Sequence, residues 1–379
     1  MTSHKKINRT YYFFLYRCET RSISTVCSSY NVLSKNSSVR YICWIWICFI
    51  LVITLTFSQS VFSKDPNPIY PIQGTFIQLL EDSHGQWNEN KWIVFFSYLK
   101  KLRISKLYLQ WTVADTRSFF FSSTFQSVKT PPLETILRLA EQFEMKVNIG
   151  LVHDYEYWNQ ITKNSNHIKT YLDNLLSRSK LAADQITSIA INYKSFNGWY
   201  ITEEVDDINW KDDYKKELLF SYLERLGDSL EKLTPGYQIA ISGFCNGQIE
   251  INEFNKFWNQ LLKRTKINLV LFQDGIGTNK LTFSNLPDYL AAFKKAAIDN
   301  QRELGVIVEI FRQTDGYPIN KKTFRAVPAN LYRINRQRQL ASKFSPNIIA
   351  FSIPDYMMPI AGNAGKFLYN RYLENIKDN

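Results

Sequence analysis

Residues 238–272 read QIAISGFCNGQIEINEFNKFWNQLLKRTKINLVLF, and this stretch carries one full unit of the fold. Two short apolar runs, 238–242 and 268–272, stand at its ends. Runs of that length, bounded by glycine and polar residues, read as buried strands. Between them, residues 251–264 set Ile251, Phe254, Trp258, Leu261 and Leu262 at helical spacing, with charged and amide side chains on the other positions. A connection containing such a helix is long enough to return the second strand parallel to the first.

The same rhythm repeats on both sides. Further strands are expected at 75–79, 106–111, 146–151, 198–202, 305–310 and 347–353, which makes eight in all. Helical patterns lie between them. Asn88 caps one over 89–102, and Pro131-Pro132 opens one over 133–143. Asn166 precedes 167–178, and a long helix over 210–233 closes at Pro235-Gly236. Others are read at 286–300 and 329–344, with a last one at 364–376. Strands alternating with helices argue for an α/β fold with a parallel sheet. Eight of them predict a closed (β/α)8 TIM barrel over an open doubly wound sheet. The open sheet would also want its phosphate fingerprint, and Gly275-Ile-Gly277 is only a GxG without the third glycine.

The chain is longer than one small domain, and the surplus lies at its start. Residues 1–40 hold seven lysines and arginines against Glu19 alone, a net +6 of the chain's +12. Residues 41–63 (YICWIWICFILVITLTFSQSVFS) carry no charge. About 20 residues at ~1.5 Å each span a bilayer core of ~30 Å. Three parts follow: a basic cytoplasmic tail (1–40), a transmembrane or signal segment (41–63) and the barrel domain (64–379). The basic flank places the tail inside and the barrel outside. The segment either stays as an anchor or is cleaved near Ser58, Ser60 or Ser63 and the barrel is secreted.

The remaining positive charge is spread thinly, without the clustered stripe that nucleic acid requires, so no nucleic-acid partner is expected. Of the five cysteines only Cys245 falls in the barrel, which leaves no disulfide framework and no zinc spacing there. Its expected role is that of a small buried apolar residue.

Active sites of such barrels form at the C-terminal ends of the strands. The sharpest signal there is Glu309, a carboxylate inside the run Gly-Val-Ile-Val-Glu-Ile-Phe, costly to bury without a purpose. Alternation sets Ile307, Glu309 and Phe311 on one face. On the fourth strand it separates Trp199, Ile201 and Glu203 from Tyr200, Thr202 and Glu204. The bulky apolar pair should face the helices, so Glu204 should point into the mouth and is preferred to Glu203. Glutamates on strands four and seven face each other across a barrel mouth, which suits glycoside hydrolysis: one protonates the leaving oxygen and the other attacks the anomeric carbon. Gln78, Gln110, Asn246, Gln273 and Asp274 could bind hydroxyls, with His153 beside them. Trp111 and Tyr356, together with Trp87, Tyr155, Trp158, Phe244 and Tyr317, could offer flat faces to sugar rings.

The plainer alternatives are structural. Glu309 could pair with Arg312 or another cation, Glu203-Glu204 could be a solvated loop edge, and the aromatic residues could be core. Other chemistries lack their residues. His4, His84, His153 and His167 are scattered and give no HxH pair, so no metal is expected. No GxSxG elbow and no evident Schiff-base lysine appear, and no cofactor is expected.

Taken together, GTFIQ (74–78), LQWT (109–112), VNIGL (147–151), GWYITEE (198–204), QDGIG (273–277) and VEIF (308–311) resemble the bacterial family named domain of unknown function 4434. The resemblance covers about residues 71–356 and implies a glycosidase-like TIM barrel. By similarity to glycosidase barrels with glutamates on strands four and seven, it implies Glu204 as acid/base and Glu309 as nucleophile. Those barrels place Asn just before the acid/base; this chain has Glu203. The expected function is a retaining glycoside hydrolase acting on an envelope or extracellular polysaccharide or glycoconjugate. The rivals are a non-catalytic carbohydrate-binding barrel and a scaffold whose mouth is plugged by loops.

A basic flank of 40 residues is long for a signal peptide. Translation from the codon of Val39 would leave an ordinary short one. N-terminal sequencing of the native protein is expected to find nothing from residues 1–38, and a peptide from that stretch would contradict the later start.

Overall fold

The computed structural model describes residues 69–315 and 324–377. The basic tail, the apolar run 41–63 and Tyr317 lie outside the described residues. Among the described residues no helix is long and apolar enough to cross a membrane.

Eight parallel strands close into a barrel: β1 (Gly74–Ile77), β2 (Lys106–Leu109), β3 (Lys146–Gly150), β4 (Phe196–Val205), β5 (Gln238–Gly243), β6 (Leu269–Gln273), β7 (Glu303–Glu309) and β8 (Asn347–Phe351). Each strand pairs with its neighbours in sequence, and β8 returns to β1. Gly74 stands opposite Lys106 on one side and Ile349 on the other, so β1 closes the ring. The longer helices are α1 (Glu89–Lys101), α2 (Leu133–Gln142), α3 (Ser165–Ala190), α4 (Asp213–Leu233), α5 (Ile251–Arg264), α6 (Leu286–Asp299), α7 (Leu331–Ala341) and α8 (Gly362–Lys377).

All eight expected strands are present, and their ends shift by a few residues. The largest departure is α3, which the sequence reading ended at Arg178. Ala182, Ala183, Ile186 and Ala190 carry its buried stripe three turns further, in side chains too small to stand out as a hydrophobic face. Its cap is Asn164, whose side chain accepts from the His167 N–H, and not Asn166. Asn88 caps α1 as expected, accepting from the Lys91 N–H.

Alternation along the strands builds two cores. Phe76, Tyr108, Tyr200, Leu269, Leu271, Ile307 and Ile349 fill the barrel interior. Trp199 and Ile201 face outward into the layer between sheet and helices. The Trp199 indole N–H donates to Thr234 Oγ1 at the end of α4, at 2.7 Å. The plugged interior leaves the C-terminal ends of the strands as the place where a cavity opens.

Two accessory pieces, unforeseen from sequence, rim that end. A small four-stranded sheet joins Val113–Ala114, Arg117–Ser118, Gln126–Ser127 and Val152–His153. A hairpin of Phe311–Asp315 and Arg325–Pro328 follows β7. Their strands run for two to five residues, too short for a period to register.

Gly198 sets the close approach of β4 and β5. Its φ is +136°, and a Cβ there would lie 2.0 Å from the Gln238 carbonyl oxygen. Gly236 also has a positive φ, of +78°, but open space around it. Urea unfolding of the Gly198→Ala variant is expected to show a loss of about 3 kcal/mol or more. Gly236→Ala should lose only ~1–2 kcal/mol. Equal losses would contradict the steric reading.

Candidate active site

A cavity of about 1020 Å³ opens at the C-terminal end of the barrel. Glu203, Glu204, Glu309, Gln78, Gln110, Trp111, His153, Asn246, Gln273 and Tyr356 all border it. Asp274 does not.

Glu309 ends β7 and is only 3% exposed. Its Oε2 accepts from the Thr278 N–H at 2.8 Å and from the Thr278 hydroxyl at 3.2 Å. Thr278 reaches it because Gly277 precedes it: a Cβ on Gly277 would sit 2.9 Å from Glu309 Oε2 and 2.6 Å from the Phe311 carbonyl. Behind the strand, Arg333 on α7 donates to the Glu309 carbonyl at 2.9 Å and to the Phe311 carbonyl. Arg333 therefore braces the backbone and leaves the carboxylate alone. Among the described residues Glu309 makes no ion pair, with Arg312 or with any other cation. Burial raises its pKa above the ordinary carboxylate value, while Lys280 and the Thr278 donors pull it back.

Asp274 lies beneath this loop, 1% exposed. Its Oδ1 accepts from the Ile276 and Glu309 N–H groups, and its Oδ2 from the Gln337 side chain at 2.6 Å. Gln337 also donates to the Glu309 carbonyl. Asp274 thus holds β6, β7 and α7 together. Turned away from the mouth, it does not take the sugar-binding position expected from sequence. Burial and the Glu309 charge push its pKa up to about 7.

Glu204 projects across the mouth, where Gln273 Nε2 donates to its Oε1 at 2.7 Å. Burial raises its pKa; Lys280 and Gln273 oppose this, and the charges of Glu309 and Asp206 add to it. Glu203 points the other way. Its Oε2 accepts from the Tyr222 hydroxyl of α4 at 2.8 Å, and burial pushes its pKa up to about 7. The alternation of inward Tyr200 and outward Trp199 thus separates the two glutamates as well.

The other lining residues are tied in pairs. Gln78 Nε2 donates to Gln110 Oε1 at 2.8 Å. Trp111 donates its indole N–H to the Leu79 carbonyl and stacks on His153, centroids 4.3 Å apart. Burial lowers the pKa of His153. Asn246 donates its backbone and side-chain N–H groups to Asp207, both at 2.8 Å, and the Cys245 thiol donates to the same carboxylate. Trp158 and Phe244 flank one side of the cavity, and Phe311, Phe324 and Tyr356 the other. Trp87 packs with His84 and Trp92 instead, and exposed Tyr155 stands at the edge of His153, neither lining the cavity.

Sequence reasoning missed Thr278 and Lys280, while Asp206 was expected beside Glu204 at the end of the fourth strand. Asp206 borders the cavity and accepts from Ile208 and Asn209. Lys280 is the single cationic side chain among the described residues lining the cavity, its Nζ 3.3 Å from the centroid of Phe244. Both loop residues follow Gly275-Ile-Gly277, and that run of glycines was the one available sign that a backbone passes close to something.

Comparison with known proteins supports the fold. The chain is similar to the uncharacterized protein YbcH of Escherichia coli (strain K12), 27% identical over 255 residues, covering 65% of this chain and 78% of that one. Among solved structures, a candidate α-L-fucosidase from Bacteroides thetaiotaomicron superposes with a TM-score of 0.66 at 20% identity, over 83% of this chain and 97% of the other. The endo-β-1,4-mannanase from Thermotoga petrophila gives a TM-score of 0.53 at 12% identity, over 81% and 77%. These likenesses show the TIM-barrel fold. The model of the family described as a domain of unknown function, DUF4434, matches residues 72–363, most of the chain, and the chain belongs to that family.

Proposed function

We propose that this protein is a retaining glycoside hydrolase in which Glu309 is the nucleophile and Glu204 the general acid and base. The observation that carries the reading is the pair itself: two carboxyl groups, from strands four and seven, on the wall of one cavity, with the charge of Glu309 adding to the upward shift of Glu204. Retention needs the two about 5–5.5 Å apart. The surroundings divide the roles. Glu309 receives donors from Thr278, and bonds of that kind favour the charged form a nucleophile needs. For Glu204, loss of solvent favours the protonated form an acid needs, and the charges of Glu309 and Asp206 add to this against Lys280 and Gln273.

In the first step a Glu309 oxygen bonds to the anomeric carbon as the glycosidic C–O bond breaks, and the Glu204 proton goes to the leaving oxygen. In the second, Glu204 takes a proton from water, whose oxygen attacks the anomeric carbon and frees Glu309. Aromatic faces on both sides of the cavity suit the apolar faces of sugar rings. The solved neighbours named for action on fucosides and mannans agree with a carbohydrate substrate. The basic flank and the apolar run 41–63 support a substrate outside the membrane, an envelope or extracellular glycan, with the barrel anchored or released.

With a panel of nitrophenyl glycosides, Glu309→Gln is expected to lower kcat by about 10³-fold or more, with the unfolding midpoint close to wild type. Glu204→Gln should lose least on the substrates with the best leaving groups, which need no acid. Wild-type turnover in either variant contradicts the assignment. Glu203→Gln should keep turnover and change stability instead. The folded pKa of Glu203, about 7, exceeds the ordinary carboxylate value. Its contribution is therefore whole below about pH 4.5 and is lost as pH rises to about 7. Relative to wild type, the variant should gain about 2–3 kcal/mol between pH 4 and 8.

A further inference from the structure

Lys280 has no assigned role, and its setting is unusual. It follows β6 in the loop Gly275-Ile-Gly-Thr-Asn-Lys280, anchored by its own N–H to the Gly275 carbonyl at 2.9 Å. The same loop supplies Thr278 to Glu309. The ammonium lies on the face of Phe244, from the loop after β5, at 3.3 Å from the ring centroid. An ammonium has three donors and no acceptor, and burying it without partners is costly. Among the described residues no carboxylate oxygen comes within 4.0 Å of it. A benzene ring cannot accept three hydrogen bonds, and Lys280 lines the cavity.

The charges around it are almost all negative. Glu204, Asp206 and Asp207 face it from β4 and the loop that follows, and Glu309 from β7. Asp274 lies beneath, just after β6, Asp355 and Tyr356 border the cavity beyond β8, and Arg333 of α7 is committed to backbone carbonyls. We propose that Lys280 is a positioning residue for the pair Glu204 and Glu309: its ammonium is the counter-charge that lets two carboxyl groups share one cavity with one of them ionised. The inference rests on the reading of those two glutamates as the reacting pair. Burial raises the pKa of both glutamates, and Lys280 is the foremost influence lowering each. A lysine that only buttressed Phe244 would not govern their ionisation.

The test does not need turnover. In the full-length chain labelled with ¹³C at the glutamate carboxyl, Glu204→Gln and Glu309→Gln assign the two resonances. Lys280→Met is expected to move the Glu309 titration upward by about one pH unit or more, since an opposite charge favours the ionised form. Lys280→Arg should keep it near wild type. If the Met variant does not fold, Lys280→Gln removes the charge while keeping a polar group, and the same shift is expected. An unchanged Glu309 titration on loss of the charge overturns the proposal. A shift in a protein that cleaves no glycoside leaves the role of Lys280 standing and rejects the glycosidase reading. In an active enzyme, the acid limb of the pH–rate profile should move upward with the same variant.

Discussion

Placing two carboxyl groups on the wall of one cavity is the constraint on which the site depends. Each resists ionisation away from water, and the charge of Glu309 raises the cost for Glu204. The protein meets this with donors placed one by one: Thr278 on Glu309, Gln273 on Glu204, and the Lys280 ammonium near both. An asymmetry results, because Glu309 gains more donors to its charged form than Glu204 does. That asymmetry turns two similar side chains into a nucleophile and an acid.

The barrel makes such placement possible. Its interior is closed by Phe76, Tyr108, Tyr200 and aliphatic neighbours, so the strand ends are held on a rigid ring. Glycines at 198 and 277 let backbone approach where any side chain would collide. Behind the mouth, Asp274, Gln337 and Arg333 fix the backbone at the end of β7 through its N–H and carbonyl groups. Two layers therefore support Glu309, one holding its carboxylate and one its backbone.

The fold was legible because eight buried parallel strands must be apolar and the helices between them must be amphipathic. Glu309 was legible for the same reason in reverse, as a charge in a run that allows none. The separation of Glu203 from Glu204 followed from strand period alone, with Trp199 marking the outer face. What escaped notice was set by tertiary approach. Lys280 looks like any loop lysine until Phe244 and the glutamates surround it. Asp274 reads as a residue of the mouth, yet Gln337, distant in sequence, turns it to the back. The far half of α3 is marked mainly by alanines, with Ile186 and Ile189 among them, too faint a stripe to follow.

The most direct test is covalent. Activated 2-deoxy-2-fluoro glycosides slow the second step of a retaining enzyme more than the first, so the glycosyl ester accumulates and can be mapped by mass spectrometry. The account predicts a single adduct on the peptide that carries Glu309, reached from a substrate whose product keeps its anomeric configuration. An adduct on any other residue, or hydrolysis with inversion, would contradict it.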